Sequence, residues 1–276
     1  MNNDMSREQE LSEKYKLDGH QIPYLLKAHE LVNFQGKTVL EVGGCIPPEL
    51  ALTDLGAKQW IANEYLDYWS EIGAPLPTQD IYSITGSIYQ KNIPYAILTG
   101  AIEELPESYF NKFDAILSIA AFEHIAKFPE ALERMYKALK RGGKLISIFA
   151  PIWSSHDGHH LPSIFDENGD EFSFSNNPLP PWGHLYMSRT EIYDYLRMNH
   201  SREFSRKVMY YIFNSNHLNR YFFNDFQKFI EDSNFLHKSI TPIFPREVPT
   251  DVLNKLTQKH GDQNFTHNGM LIILEK

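Results

Sequence analysis

Residues 36–50 read GKTVLEVGGCIPPEL, and this stretch limits the fold more than any other part of the chain. The short apolar run TVLEV asks to be a strand. Gly43 and Gly44 end it in a turn where the backbone can approach a ligand with no side chain in the way. Pro47 and Pro48 suit the first turn of a helix, where a missing amide hydrogen costs nothing, and Gly56 closes that helix. Strand, glycine turn and helix together form the opening unit of an α/β sheet.

The alternation continues up to Pro151. KQWIANEY, PYAILTGA and FDAILSIAA supply three further strands. Phe128, Ala131, Leu132, Met135, Tyr136 and Leu139 then recur at helical spacing, with Lys140 and Arg141 in the last turn and Gly142 just past it. GKLISIFAPIW is a fifth strand. Short connections with helices between them imply right-handed crossovers and a parallel sheet. Residues 154–186 break the pattern with prolines and little periodicity, and read as a long functional loop. Helical patterning returns in SRTEIYDYLRMNH and in the aromatic segment MYYIFNSNHLNRYFFNDFQKFIEDSNF. LHKSITPIF and FTHNGMLIILEK are the last two strands, separated by a helix, TDVLNKLTQKHG, that Gly261 terminates. The expected organisation is one domain in four parts: an N-terminal helical region (1–35), a core (36–153), a cap insertion (154–236) and a final strand pair with its helix (237–276).

Composition excludes some partners. A formal charge of −9 and no run of Lys or Arg argue against a nucleic-acid backbone. The first residues carry no apolar leader segment, and nowhere do eighteen apolar residues follow one another, so export and a membrane span are not expected and a cytoplasmic protein is. Cys45 is the one cysteine, which rules out an internal disulfide. With nothing cationic beside it in sequence, it is expected to pack in the turn.

The glycine turn also bears on the ligand. Dinucleotide enzymes seat a pyrophosphate there, but Pro47 and Pro48 cannot donate amide hydrogens, which weakens a phosphate cradle. Glu64, at the end of the second strand and about twenty residues on, is placed to accept hydrogen bonds from ribose hydroxyls. Both features suit an adenosyl group without a pyrophosphate. Taken with LTGAIEELP, FDAILSIAAFEHI and LKRGGKLISIFAP in that order, the chain resembles the class I S-adenosylmethionine-dependent methyltransferases, in particular the broad bacterial group acting on small molecules and glycans. The resemblance spans residues 36–151. It implies a Rossmann-like, doubly wound seven-stranded sheet, mostly parallel with an antiparallel final strand, beneath a helical and loop cap.

The resemblance also implies a cofactor, S-adenosyl-L-methionine, held by Glu41, Gly43, Gly44, Glu64, Ala101, Ile102, Ser118 and Ile119. Two departures accompany it. Pro47 stands near the usual third glycine, and Ala101 replaces an Asp on the adenine side, leaving backbone groups and Ile102 to hold the ring. Glu41 either contacts the methionine end through water or orders the turn. Glu123 and His124 open the helix after the fourth strand, where a carboxylate favours the helix N-terminus.

The densest chemistry follows the fifth strand. SSHDGHHL places His156, Asp157, His159 and His160 close together, where a neutral imidazole suits a general base for a hydroxyl acceptor. His156, His159 and His160 are the candidate bases, with His159 or His160 favoured because Gly158 lets the backbone bring them inward. The same residues also read as a set that only orders a polar loop, and their spacing with His184 matches no established zinc pattern, so no metal is expected. His184, Asn219 and Arg220 are candidate anchors for a small-molecule or sugar acceptor. Two other readings remain open: a cofactor-binding partner or sensor without turnover, and a nicotinamide oxidoreductase, which the missing phosphate turn disfavours.

Overall fold

The computed structural model describes residues 6–17, 19–75, 81–83 and 94–276, so the first five residues of the N-terminal region lie outside the described residues. Helix α1, Arg7–Tyr15, starts at a capping box formed by Ser6 and Gln9. Helix α2, Gln21–Val32, buries Ile22, Leu25, Ala28 and Val32 along one face. Strands β1 (Thr38–Val42) and β2 (Gln59–Glu64) are buried along their whole length, as strands covered on both faces must be. Helix α3, Leu66–Ile72, and the short strand β3, Ile81–Ser83, precede β4, Tyr95–Thr99. Strand β5 (Phe113–Ile119), helix α4 (Phe128–Ala138) and strand β6 (Leu139–Phe149) follow. The segment beyond β6 contains a two-residue ladder, β7 (Ile164–Phe165) with β8 (Glu171–Phe172), and helices α5 (Gly183–Tyr186), α6 (Arg189–Arg197), α7 (Arg202–Phe213) and α8 (Phe223–Asp232). Strand β9 (His237–Pro245), helix α9 (Thr250–His260) and strand β10 (His267–Glu275) complete the chain.

The sheet runs β3-β4-β2-β1-β5-β6-β10-β9. Strand β10 is antiparallel to both its neighbours, and the other pairings are parallel. This is the expected doubly wound sheet with its antiparallel final strand, extended at one edge by the three-residue β3. The chain leaves β1 outward through β2 to β4 and then returns to β5 on the other side of β1. The reversal opens a crevice at the carboxyl ends of β1 and β5, where sheets of this kind bind ligands.

Alternation along the strands divides the core between the two faces. Leu40 and Ile116 pack with α4 and α8, while their neighbours Val39 and Leu117 pack with α1, α2 and Trp60. A third cluster lies within the segment after β6 and joins Trp153, Leu161, Trp182, Leu185, Val208 and Leu256 among others.

The helix after the glycine turn forms where expected, over residues 48–54, opened by a bond from Ala51 N to Pro47 O and widening in its last turn, where Leu55 N donates to Leu50 O. One local expectation is corrected. Helix α4 stops at Ala138, and Lys140 and Arg141 belong to β6. Leu139 is drawn into the extended pairing opposite Phe113, and Lys140 is tied to Asp114 at 2.6 Å. Residues 154–186, read as a long functional loop, wrap a packed interior that includes Leu161, Ile164, Leu179 and Trp182.

Candidate active site

The turn after β1 is built around two groups that forbid side chains. Glu41 is buried, and its carboxylate accepts from Trp60 Nε1 at 2.6 Å and from Ile46 N at 3.2–3.3 Å. Burial pushes its carboxyl up to about 7, against the pull of those two donors. A Cβ on Gly44 would stand 2.5 Å from Glu41 Oε1, and one on Gly43 would stand 2.3 Å from the Cβ of Ala121. Gly43 also adopts φ 73°. The pair therefore meets a packing need. Gly43→Ala is expected to cost about 2–4 kcal/mol, from left-handed backbone and overpacking together; an unfolding midpoint in urea equal to that of the wild type would refute this.

Glu64 closes β2 and is 3% exposed. Trp69 Nε1 donates to Oε2 at 3.2 Å, while Oε1 is buried with no hydrogen-bond partner among the described residues. Burial raises its carboxyl. Cys45 lies within the field of Glu64 and Glu41, and burial together with these charges pushes its thiol up to about 12, so it is no nucleophile. At the end of β2, Asn63 Nδ2 donates to Gly100 O at 2.9 Å, and Gly100 N donates back to Glu64 O at 2.9 Å, which fixes the turn after β4 that carries Ala101.

Across the crevice, a 3-10 turn spans Phe122–His124. Glu123 is 1% exposed, and burial lifts its carboxyl to about 8 despite the amides of Glu123 and Ala150. His124 is pushed down to about 3, chiefly by burial. Its Nδ1 bonds the carbonyl of His217, and its ring lies 4.5 Å from that of Tyr68 and 4.7 Å from that of His160. His160, held at φ 44°, also packs on Phe174 at 4.8 Å. Burial drives its imidazole well below the ordinary range. Tyr210 and Ser215 both donate to Glu71 at 2.7 Å, latching the cap to α3 beside this cluster.

Residues 79–147 match a family model described as a methyltransferase domain, the stretch that runs into β4 and through β5 to β6. Over those residues the chain is similar to a methyltransferase domain. In overall course it is similar to an S-adenosylmethionine-dependent methyltransferase from Mesorhizobium loti, at 12% identity, 94% coverage of this chain, 99% of the other and a TM-score of 0.46. It is also similar to a methyltransferase from Archaeoglobus fulgidus, at 11% identity, 98% and 100% coverage and a TM-score of 0.48. No curated protein matches the chain in sequence.

In this fold the sequence-derived candidates fall into distinct groups. Gly43, Gly44, Glu64 and Ala101 stand at the carboxyl ends of β1, β2 and β4. Ile119 is half-buried at the end of β5, and Ile102 is already packed in the core beneath its turn, at 4% exposure. Of the two readings of Glu41, the one that orders the turn fits its bonds.

Ser118 is a correction, because its hydroxyl donates to Val42 O at 2.8 Å inside the sheet. Asn219 and Arg220 are corrections as well. Asn219 Nδ2 donates to the carbonyls of Phe122 and Ile125, and the Arg220 guanidinium donates to those of Ile212, Leu218, Tyr211 and Ser215. Arg220 serves the backbone of the cap, and Asn219 ties the cap to the turn after β5.

The histidines separate in the same way. His159 is 0% exposed and accepts from Leu161 N at 3.1 Å. His184, also buried, donates from Nε2 to Trp153 O at 2.9 Å. His156 stands 3.4 Å from Asp157 beside Trp182. Only His160 of the loop set reaches the turn after β5.

Sequence reasoning set aside His124 and Glu123 as helix-capping charge, yet they lie on a turn that precedes α4. Their position directly after the strand flanking the crevice was the available signal. Tyr68 and His217 carried none.

Proposed function

We propose that the chain transfers a methyl group from S-adenosyl-L-methionine to a hydroxyl of a small molecule or sugar held beneath the cap. The observation that carries the reading is Glu64 Oε1, a buried acceptor with no partner among the described residues, at the end of β2 and beside the glycine turn. A buried acceptor left unmatched costs about 1–3 kcal/mol, and a ribose hydroxyl supplies the missing donor. Gly43 and Gly44 leave backbone open for the methionine end, and the backbone at Ala101 borders the adenine. The donor supplies an electrophilic methyl group on a sulfonium sulfur.

The chain's own part is to hold the acceptor in line and to receive its proton. The histidine base is assigned to His160, with His124 beside it. Both are neutral by burial and so have a lone pair to offer. The surrounding imidazole, phenol and phenyl rings suit an uncharged hydroxyl compound.

Calorimetry tests the donor. S-adenosylmethionine or its demethylated product should bind and NAD should not. Glu64→Ala should weaken binding by about 1.5–3 kcal/mol, the worth of a hydrogen bond to a charged group. Unchanged affinity in that variant removes Glu64 from the site. Methyl release over a panel of hydroxyl acceptors then separates an enzyme from a binding protein without turnover.

A further inference from the structure

The turn after β5 holds donor atoms that methyl transfer alone leaves unmatched. Among the described residues, neither carboxyl oxygen of Glu123 makes a well-formed hydrogen bond, although the amides of Glu123 and Ala150 lie near enough to lower its pKa, and Nδ1 of His160 is buried and unpartnered. His124 donates from Nδ1 to the His217 carbonyl. That bond fixes its tautomer, leaves the lone pair on Nε2, and is the support that metal-bound histidines ordinarily have. One nitrogen or oxygen from each of Glu123, His124 and His160 lies within 4.8 Å of the other two. Tetrahedral donors held about 2.0–2.2 Å from one ion stand about 3.3–3.6 Å apart, so the cluster must close by up to about an ångström to hold one. His160 keeps its ring there at a positive φ of 44°, a conformation that survives only where the surroundings enforce it.

We propose that Glu123, His124 and His160 bind a divalent transition-metal cation at the turn after β5. Two imidazoles and one carboxylate favour borderline ions of the zinc, iron and cobalt kind over magnesium or calcium. Three protein ligands leave positions open for water or for an oxygen of the acceptor. With the ion bound, the two imidazoles serve as ligands, and the cap, through His160, is joined to the core, through Glu123 and His124. A second group of similar residues, Asp166, Glu167 and His200, does not compete. The Asp166 carboxylate is already taken up by the amides of Asn168 and Asp170 at 2.8 and 2.9 Å.

The site does not depend on the methyl donor and is tested without it. The full chain, stripped with a chelator, is titrated with cobalt(II) and followed by visible absorption. One cobalt per chain is expected, displaced by zinc. Glu123→Gln and His160→Ala should each weaken cobalt binding at least about a hundredfold, since even the outer partners of metal ligands are worth about 10–100-fold. Asp166→Asn should bind as the wild type does. Circular dichroism checks that each variant is folded, and the wild-type titration decides the matter if one is not. A wild-type chain that takes up no stoichiometric cobalt overturns the proposal. So does cobalt binding that survives both cluster substitutions, or that is lost in Asp166→Asn alone.

Discussion

Replacing His160 with alanine is expected to lower methyl turnover by about a hundredfold to ten-thousandfold, the usual worth of a positioned proton acceptor. Donor affinity should hardly change, because Glu64 and the glycine turn sit on other strands and touch none of the same groups. The rate should fall on the acid side, since only a neutral imidazole accepts a proton. Burial moves that limb well below the ordinary histidine range. His156→Ala and His159→Ala are the controls. His156 leans on Asp157 and Trp182, and His159 is sealed in the cap, so neither should reproduce the loss of rate with folding intact. A chelator separates the two parts His160 can play. Turnover that withstands it leaves the imidazole as the proton acceptor, and turnover restored by added metal makes it a ligand. Full turnover in His160→Ala would leave proximity alone as the source of catalysis.

The second large effect is on stability against pH. His184 is held down to about 3 and His124 likewise, against 6.5 for a free imidazole, and burial moves His159 and His160 in the same direction. Their contribution is complete above about pH 6.5 and is lost as the pH falls toward the folded values, because the unfolded chain then binds the extra protons. Each of these residues gives up about 1.4 kcal/mol per pH unit in that window. Glu41 and Glu123 act in the opposite sense. Their folded values of about 7 and about 8 lie above the ordinary 4.5, so their contribution is complete below about pH 4.5 and is lost as the pH rises through the folded values. His29, His156 and His217 shift in the same sense as these imidazoles, and Glu64 and Asp157 in the same sense as Glu41 and Glu123, so the imidazoles outnumber the carboxyls below about pH 6.5 and the carboxyls prevail above it. Metal-free stability should therefore peak near about pH 6.5. Urea unfolding across a pH series measures it. His184→Gln, which keeps a donor for the Trp153 carbonyl and cannot titrate, should make the acid limb shallower by about 1.4 kcal/mol per unit. An unaltered acid slope in that variant counts against the assignment.

The strand sequence and the place of the crevice were legible because apolar runs and glycine turns act locally. β1, β2, β5 and β10 each stand where their own residues asked. Glu64 could be placed for the same reason, as the end of a strand with an acid on it. The histidines could not be sorted in this way. His159, His160 and His184 look alike in sequence, and what separates them is whether Leu161, His124 or Trp153 lies opposite, which only tertiary packing decides. Arg220 and Asn219 were misread because a polar side chain that caps its own backbone has the same sequence signature as one that waits for a ligand. The ending of α4 went the other way. Leu139 kept the helical spacing, but pairing with Phe113 outweighed it.

The bonds from Asn219 to the carbonyls of Phe122 and Ile125, and from its own amide to Glu123 O, have a consequence for redesign. A segment that grips the turn beside the reaction centre is not an interchangeable module. Transplanting residues 154–236 onto a related core, in order to exchange one acceptor for another, would need the recipient's turn after the fourth long strand to present the same three carbonyls. A graft made without them should fold on each side of the junction and still misplace His160, so hybrid enzymes of this kind are best cut inside β5 and not at the end of β6.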